Sequence, residues 1–306
     1  MTPELFDSHC HVQDARMDAV RSDALSRARA AGVSGLLLAG VDVMDWRAQA
    51  ALIAVPPTAA AEGAAAPPAC AFSVARAYGI HPQVVEQYSD EELTQQLETL
   101  ARALQNQDPT LPRPHAVGEL GLDALTPQRR QSLPRQERIF RAQLALARQQ
   151  DVPLVLHILR THGEALRVLR HDGVPRAGGV VHSYSGSADL VRDYVALGLS
   201  ISFSGAITLP QATRLQRAAC VVPLDRLLIE TDAPDQTPLP HRPAANEPAF
   251  LPAVCAAIAA ARGQDFNLVA QSTAENARRL FHVHVCSHNA PQSAASSTAS
   301  SLMQPE

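Results

Sequence analysis

The chain has 306 residues, 46% of them apolar, and a formal net charge of -4, which allows a large core and argues against a protein held on nucleic acid by bulk charge alone. All 26 basic residues are arginines, which excludes chemistry that needs a catalytic or carbamylated lysine. The five cysteines are scattered without a C-x-x-C pair, and no signal-peptide pattern or apolar run of about 18 residues is present. We therefore expect a reduced, cytoplasmic protein without disulfides or a membrane span.

Apolar runs alternate with amphipathic segments along the first half of the chain. The third predicted helix begins at Ser89, where Glu92 completes a capping box. The predicted strands are residues 5–11, 33–41, 70–79 and 116–123, and the predicted helices are residues 14–31, 44–55 and 89–104.

The same alternation continues through the second half. The predicted strands are residues 152–158, 178–183, 199–204 and 227–232, and the predicted helices are residues 134–150, 162–171, 188–197, 211–219, 249–262 and 265–280. Strand and helix thus alternate about eight times, which predicts an α/β protein with a parallel sheet. At this length a closed (β/α)8 TIM-like barrel is the leading fold, and a doubly wound open sheet is the alternative.

Two segments depart from this alternation. Residues 56–69 are rich in alanine and proline, and we interpret them as a mobile surface insertion. From about residue 284 the sequence is rich in serine, alanine and glutamine without periodicity, which predicts a disordered tail at 284–306. Residues 1–283 are therefore expected to form a single barrel domain.

The first strand carries two histidines one residue apart, His9 and His11. Successive side chains of a strand point to opposite faces, so both imidazoles should project to one side and Cys10 to the other. Two imidazoles placed in this way can bind one metal ion. The pair alone is weak evidence, because a histidine on a buried strand is often a hydrogen-bonded core residue.

Four later strands carry metal-capable side chains at or near their carboxyl ends: Glu119, His157, His182 and Asp232. Each has an ordinary alternative as a helix cap, an ion pair or a core histidine. Barrel enzymes place catalytic groups at this end of the strands, so one cause explains all four positions. Four histidines and two carboxylates suit two divalent ions, one carboxylate bridging them, which can activate water for an in-line displacement.

The motifs around these residues resemble those of the TatD family of metal-dependent hydrolases, within the amidohydrolase-like barrels. The resemblance covers about residues 5 to 281 and is specific for the family, though not for the substrate. The matching segments, in family order, are residues 7–11, 79–82, 117–123, 153–157, 182–186, 230–234, 246–248 and, read loosely, 273–280.

This resemblance implies six metal ligands. One ion is held by His9, His11 and Asp232, the other by His157 and His182, and Glu119 bridges the two. Asp232 and Glu119 are the implied catalytic residues, Asp232 as the general base that takes a proton from the attacking water.

Three more residues have roles that remain open between function and structure. His81 and Arg160 are expected on the substrate side, although His81 can equally be a turn residue before Pro82, and Arg160 can cap its helix. Asp123 either orients a ligand histidine or lies in a loop. Ser183 stands where the family usually has cysteine and Tyr184 where another aromatic is usual, which affects substrate preference and not the ligand set.

We expect hydrolysis of DNA phosphodiester bonds, the family's better-known activity, with two divalent ions whose identity (Mg, Mn or Zn) is open. A single-stranded end can be attracted by a local arginine cluster, for instance Arg129, Arg130, Arg135 and Arg160. Two alternatives stay open: ester or amide hydrolysis, such as deacylation of D-aminoacyl-tRNA, and a metal-binding barrel without catalysis. The oligomeric state is not specified, and a monomer is favoured.

Overall fold

The computed structural model describes residues 4–54 and 72–283, so the predicted insertion at 56–69 and the predicted tail at 284–306 lie outside the described residues. Within these ranges, parallel strands form one sheet in chain order. They are β1 Leu5–Cys10, β2 Val33–Ala39, β3 Ser73–Tyr78, β4 Ala116–Asp123, β5 Leu154–Leu159, β6 Gly179–Val181, β7 Leu199–Phe203 and β8 Leu227–Ile229.

The sheet closes between its first and last strands, just beyond the end of β8. The backbone amide of Asp232 donates to the carbonyl of His9 at 3.0 Å, and that of His11 donates to the carbonyl of Ala233 at 2.7 Å. Lower in the barrel the Ser8 hydroxyl donates to the carbonyl of Ile229 at 2.9 Å. These bonds confirm the predicted (β/α)8 barrel over an open sheet.

Helices follow the strands around the outside of the barrel. They are α1 Arg21–Ala30, α2 Val43–Ala54, α3 Asp90–Leu104, α4 Pro127–Gln131, α5 Leu133–Gln150, α6 His162–Asp172, α7 Ala188–Ala196, α8 Thr213–Val221, α9 Leu251–Arg262 and α10 Phe266–Phe281. The Ser89–Glu92 capping box is present at the start of α3. None of the helices in the described ranges combines the length and the apolar character that a bilayer-spanning segment needs.

The prediction of one helix over residues 14–31 is wrong in its first part. A short 3-10 turn at Ala15–Met17 comes first, and α1 begins only at Arg21. Asp14 caps this turn by accepting the backbone N–H of Arg16 at 2.8 Å. The Arg21 guanidinium donates to the carbonyl of Val12 at 2.6 Å, so the loop after β1 is held by its own polar groups.

Strands β6 and β8 are shorter than predicted, and the reason is local. Ser183 and Asp232 have φ of +41° and +58°, in the left-handed region that a strand does not use. Regular strand pairing therefore ends before these residues, although the backbones of Asp232 and Ala233 still bond to β1. The polar side chains that follow β6 and β8 lie on the rim of the barrel.

The interior of the barrel changes character along its axis. Its amino-terminal end is filled by apolar side chains that include Phe6, Leu37 and Val155, closed by Phe281 from α10. In the middle the hydroxyls of Ser8 and Ser202 are 3.1 Å apart. The carboxyl-terminal end holds the cluster of histidines and carboxylates described next.

Candidate metal centre

His9 and His11 lie together at the carboxyl end of β1, as their spacing predicts. Their Nε2 atoms are 3.3 Å apart. The pairing of β1 with β2 is irregular between Asp7 and Cys10, so the strand bulges where it delivers the two imidazoles. Cys10 is fully buried on the other face among apolar residues that pack against the helices, which confirms the prediction that it projects to the side opposite the two imidazoles.

Glu119, at the middle of β4, lies at the centre of the cluster and is only 2% exposed. Its Oε2 is 3.3 Å from Nε2 of His9 and 3.2 Å from Nε2 of His11. Its Oε1 faces the other side, 2.8 Å from Nε2 of His182 and 3.4 Å from Nδ1 of His157. One carboxylate thus offers one oxygen to each of two groups of imidazoles.

Asp232 completes the first group. Its Oδ1 lies 3.5 Å from Nε2 of both His9 and His11. Its side chain is 13% accessible, compared with 3% for Glu119, so Asp232 is the carboxylate that solvent reaches. In the second group Nδ1 of His157 and Nε2 of His182 are 3.1 Å apart. The structure therefore brings all six predicted ligands into one cluster.

Hydrogen bonds at the far nitrogen of two histidines indicate which nitrogen is free for a metal. Nδ1 of His11 is 3.1 Å from the carbonyl of Ala39, which can only accept, so that nitrogen carries the proton. Nε2 of His157 faces Oδ2 of Asp123 at 3.3 Å in the same way. In the neutral rings, the lone pairs of His11 Nε2 and His157 Nδ1 therefore point into the cluster, as metal ligation requires.

His81 follows the opposite pattern. Its Nδ1 accepts the backbone N–H of Gln83 at 3.0 Å, so a neutral ring carries its proton on Nε2. This Nε2 lies 3.2 Å from Oε1 of Glu119. Burial lowers the pKa of His81 to about 4, which keeps the ring neutral at pH 7. His81 thus stands beside the ligand set as a hydrogen-bond donor.

The electrostatics of the cluster fit a bound cation. Burial alone would raise the pKa of Glu119 and Asp232, but the imidazoles hold Glu119 well below its usual range and Asp232 at about 2. Burial opposes charging of His11 and His182, yet the carboxylates raise the pKa of both rings well above the usual value. Buried carboxylates here demand positive charge, and divalent ions at the same nitrogens and oxygens would supply it in place of protons.

Two further carboxylates lie next to ligand histidines, beside the ring nitrogens that face away from Glu119. Asp123 Oδ2, which faces His157, also accepts from Nε2 of Gln83 at 2.8 Å and from Arg129 at 2.9 Å. The open question about Asp123 is thereby answered by its contact with the ring. Glu230 is fully buried, with Oε1 at 3.6 Å from Nδ1 of His182.

A family model described as "TatD related DNase" matches residues 6–282. The chain belongs to the TatD family of metal-dependent hydrolases. The resemblance to this family that the sequence motifs indicated is therefore confirmed.

Individual TatD-family relatives match this chain over nearly their whole length. The chain is 34% identical over 287 residues to the 3'-5' ssDNA/RNA exonuclease TatD of Dickeya dadantii, covering 90% of this chain and 97% of that protein. It is 32% identical over 286 residues to the uncharacterized metal-dependent hydrolase YjjV of Escherichia coli, covering 92% and 100%. The crystal structure of that YjjV protein matches with a TM-score of 0.79 at 30% identity, over 93% of this chain and 100% of that one.

The arginines that the sequence suggested for this TatD-family site divide into two kinds. Arg129 is paired with Asp123, and Arg135 donates to Asp90 and to the carbonyls of Val85 and Tyr88, so both have structural partners. Arg130 and Arg160 are exposed, and their guanidinium groups make no hydrogen bond or ion pair with the described residues. Arg160 comes three residues after His157, outside the ligand cluster, with φ of +60°.

Apart from Asp123, sequence reasoning missed the polar residues that lie next to the ligands. Glu230 had a weak signal, because it lies two residues before Asp232 in a run that is otherwise apolar. Gln83 and Gln236 had none, since an isolated glutamine in a loop is ordinary. Gln236 contacts Asp232 directly, with Nε2 at 2.5 Å from Oδ2.

Proposed function

We propose that this chain is a divalent-metal-dependent nuclease that hydrolyses phosphodiester bonds of DNA, with single-stranded ends as its preferred substrate. The observation that supports this most is the position of Glu119, with one oxygen on each of two groups of imidazoles. That arrangement suits two ions held close together, which is the arrangement used by many phosphodiesterases. The similarity to a relative named as a 3'-5' ssDNA/RNA exonuclease favours a single-stranded nucleic acid as the substrate.

We assign the ligands as the sequence predicted: His9, His11 and Asp232 to one ion, His157 and His182 to the other, and Glu119 to both. When bound, the ions activate a water molecule and polarise the phosphodiester. The donors are a mixture of imidazole nitrogens and carboxylate oxygens, which fits Mg, Mn or Zn. Asp123 keeps the ring of His157 in place, and Glu230 lies next to Nδ1 of His182.

Asp232 is the residue that takes the proton of the attacking water. It is more accessible than Glu119, and it stands on the rim after β8 where solvent enters. Glu119 lies too deep for that role and instead holds the two groups of ligands at a fixed separation. The two predicted catalytic carboxylates thus have different tasks because their burial differs.

His81 and Arg160 bind the substrate. The Nε2–H of His81 is a fixed donor beside Glu119, and it suits a phosphoryl oxygen on which negative charge develops. Arg160 has an unpaired guanidinium at the same end of the barrel and suits an adjacent phosphate. The scattered cysteine pattern supports a reduced compartment, and we keep the cytoplasm and a monomer as the expected state.

The test uses purified protein stripped of metal and reloaded with Mg, Mn or Zn. Each form is given a labelled single-stranded DNA, the same DNA as a duplex, and an aminoacyl ester. We expect metal-dependent cleavage of the single strand. Ester hydrolysis without DNA cleavage would replace the nuclease assignment with the acyl-ester alternative, and metal binding without turnover of any substrate would favour the non-catalytic barrel.

Asp232→Asn is the matched variant, with Asp225→Asn as its control. Asp225 lies just before β8 at the opposite end of the same strand and is 72% exposed. Removing the proton acceptor should lower kcat by about 10² to 10⁴-fold, while Asp225→Asn stays within about twofold of the wild type. Equal nuclease activity in Asp232→Asn and wild type would mean that a contaminant is being measured.

Salt dependence gives an independent check of phosphate contact. If His81 and Arg160 meet phosphates, binding of single-stranded DNA should weaken linearly on a log-log plot as salt rises. Arg160→Ala should reduce that slope by about 0.7, the share of one phosphate on a single strand. A flat response in the wild type would contradict a nucleic-acid substrate.

A further inference from the structure

One glutamine amide connects the ends of three neighbouring strands at the rim of the barrel. Nε2 of Gln236 donates to Oδ2 of Asp232 at 2.5 Å and to Oγ of Ser183 at 2.6 Å. Its Oε1 accepts from Oγ of Ser204 at 2.6 Å. Ser183 follows the ligand His182 after β6, Ser204 follows β7, and Asp232 follows β8.

The chemistry of these partners determines which way the amide points. An ionised carboxylate can only accept, so the group that faces Asp232 must be the NH2 and not the carbonyl oxygen. Both N–H bonds of Gln236 are then used, one on Asp232 and one on Ser183, and its oxygen is used on Ser204. The two serine hydroxyls are 3.1 Å apart and close the ring of bonds.

The contact acts on the half of Asp232 that faces away from the histidines. Oδ1 of Asp232 is 3.5 Å from Nε2 of both His9 and His11, while Oδ2 carries the Gln236 bond. Rotation of the carboxylate plane about the Cβ–Cγ bond would move Oδ2 away from the amide and break the bond. The amide therefore fixes Oδ1 toward the metal side.

The backbone at these positions is also unusual. Ser183, Asp232 and Gln236 all have positive φ, at +41°, +58° and +56°. Residues with side chains adopt this region infrequently, and they keep it where surrounding bonds determine the conformation. Three members of one side-chain network share a positive φ. The backbone conformation of the rim and this hydrogen-bond network therefore depend on each other.

We propose that Gln236 is a positioning residue that sets the orientation of Asp232, so that one carboxylate oxygen ligates the metal while the other stays at a fixed place for proton transfer. This inference rests on the proposed function for the role of Asp232. Gln236 itself touches neither substrate nor metal in the proposal, and it acts through the carboxylate that it holds.

The test measures metal affinity as well as activity in Gln236→Leu, which keeps the bulk and removes the amide. The control is Gln271→Leu, on the exposed face of α10 and bonded only to Glu275. Calorimetric titration of the stripped protein with Mn²⁺ should give a dissociation constant raised about 10-fold, and kcat on single-stranded DNA should fall about 10 to 100-fold with KM unchanged within about twofold. Gln271→Leu should match the wild type in the Mn²⁺ dissociation constant, in kcat and in KM.

A double-mutant cycle with Asp232→Ala separates positioning from general loss of structure. Without the carboxylate, Gln236→Leu should cause no further loss of Mn²⁺ affinity. An equal loss with and without the carboxylate would contradict the proposal, as would wild-type affinity and kcat in Gln236→Leu. If Gln236→Leu does not fold, the same double-mutant cycle is measured with Gln236→Asn and with Ser183→Ala.

Measuring both Mn²⁺ affinity and DNA cleavage also separates this inference from the proposed function. If the wild type cleaves no DNA but binds Mn²⁺, the nuclease assignment fails and the affinity cycle still decides the role of Gln236. If the wild type binds no divalent ion, both are overturned.

Discussion

The two ends of the barrel are made from the same strands and have opposite interiors. The amino-terminal end is filled with apolar groups, and Phe281 from α10 packs 6.5 Å from the ring of Phe6. The carboxyl-terminal end buries histidines and carboxylates around Glu119. Apolar burial stabilises the fold in water alone, whereas buried charge needs a counter-charge. The amino-terminal end of the barrel therefore supplies stability. The buried charges of the carboxyl-terminal end lower the stability of the fold and serve the chemistry.

The largest effect is expected from Glu119→Gln at the carboxyl-terminal end. The substitution keeps the shape and removes the charge that both groups of imidazoles share. Activity should fall about 10³-fold or more, with metal binding lost and the near-ultraviolet circular dichroism of a folded barrel retained. Glu98→Gln on the outer helix α3 is the control. If Glu119→Gln unfolds and Glu98→Gln does not, the carboxyl-terminal end is also needed for the stability of the fold.

Phe281→Ala tests the opposite end. Phe281 is fully buried, so truncation should lower the free energy of unfolding by about 3 to 5 kcal/mol, measured by urea titration. Because the side chain lies away from the metal cluster, kcat of the folded fraction should stay within about twofold of the wild type. Leu268→Ala, on the same helix and 45% exposed, should change stability little. A large loss of kcat in folded Phe281→Ala would show that the two ends are coupled.

Asp123→Asn probes the support of the metal centre with a smaller effect. It weakens the partner of His157 Nε2 while leaving the six ligands in place. Such outer partners are worth about 10 to 100-fold in metal affinity or activity, so we expect a loss in that range with Mn²⁺ affinity as the readout. Asp225→Asn again serves as the control. A loss as large as that of Glu119→Gln would place Asp123 among the ligands themselves.

The smallest effect concerns pH and the amino-terminal end. His115 precedes β4 there, and burial, with a smaller contribution from Arg76, lowers its pKa to about 4. The folded state thus favours the neutral ring, so its stabilising contribution is complete above about pH 6.5 and is lost as the pH falls toward 4.

His115→Gln should therefore reduce the acid-induced loss of unfolding free energy between pH 6.5 and 4 by about 1 to 3 kcal/mol. The measurement is urea unfolding at both pH values. His171→Gln, at a ring that is 77% exposed, should leave the difference unchanged. Identical acid sensitivity in the wild type and His115→Gln would refute the burial argument.

Sequence alone predicted the part of the molecule that depends on periodicity. The alternation of strands and helices is visible residue by residue, and the carboxyl end of each parallel strand meets the same rim, so His9, His157 and His182 could be grouped before any coordinates. Glu119 was placed in the same group, although it lies at the middle of β4. The two-residue spacing of His9 and His11 was sufficient to place Cys10 on the far side.

What the sequence did not predict depends on side-chain hydrogen bonds and on backbone turns. The protonated nitrogen of His81 follows from the amide of Gln83, which no pattern announces. The left-handed conformations at Ser183 and Asp232 prevent regular strand pairing beyond β6 and β8, and non-glycine residues give no signal for them. The partners of Arg129 and Arg135 could be assigned only once Asp123 and Asp90 were located.

The central claim is that the histidine and carboxylate cluster is a centre for two divalent ions. The most direct measurement is the number of Mn²⁺ or Zn²⁺ equivalents retained by the stripped and reloaded wild type, read by mass spectrometry of the metals beside His157→Ala and Glu119→Gln. We predict two equivalents per chain in the wild type, one in His157→Ala and none in Glu119→Gln. No retained ion in the wild type, or the same number in all three proteins, would contradict it.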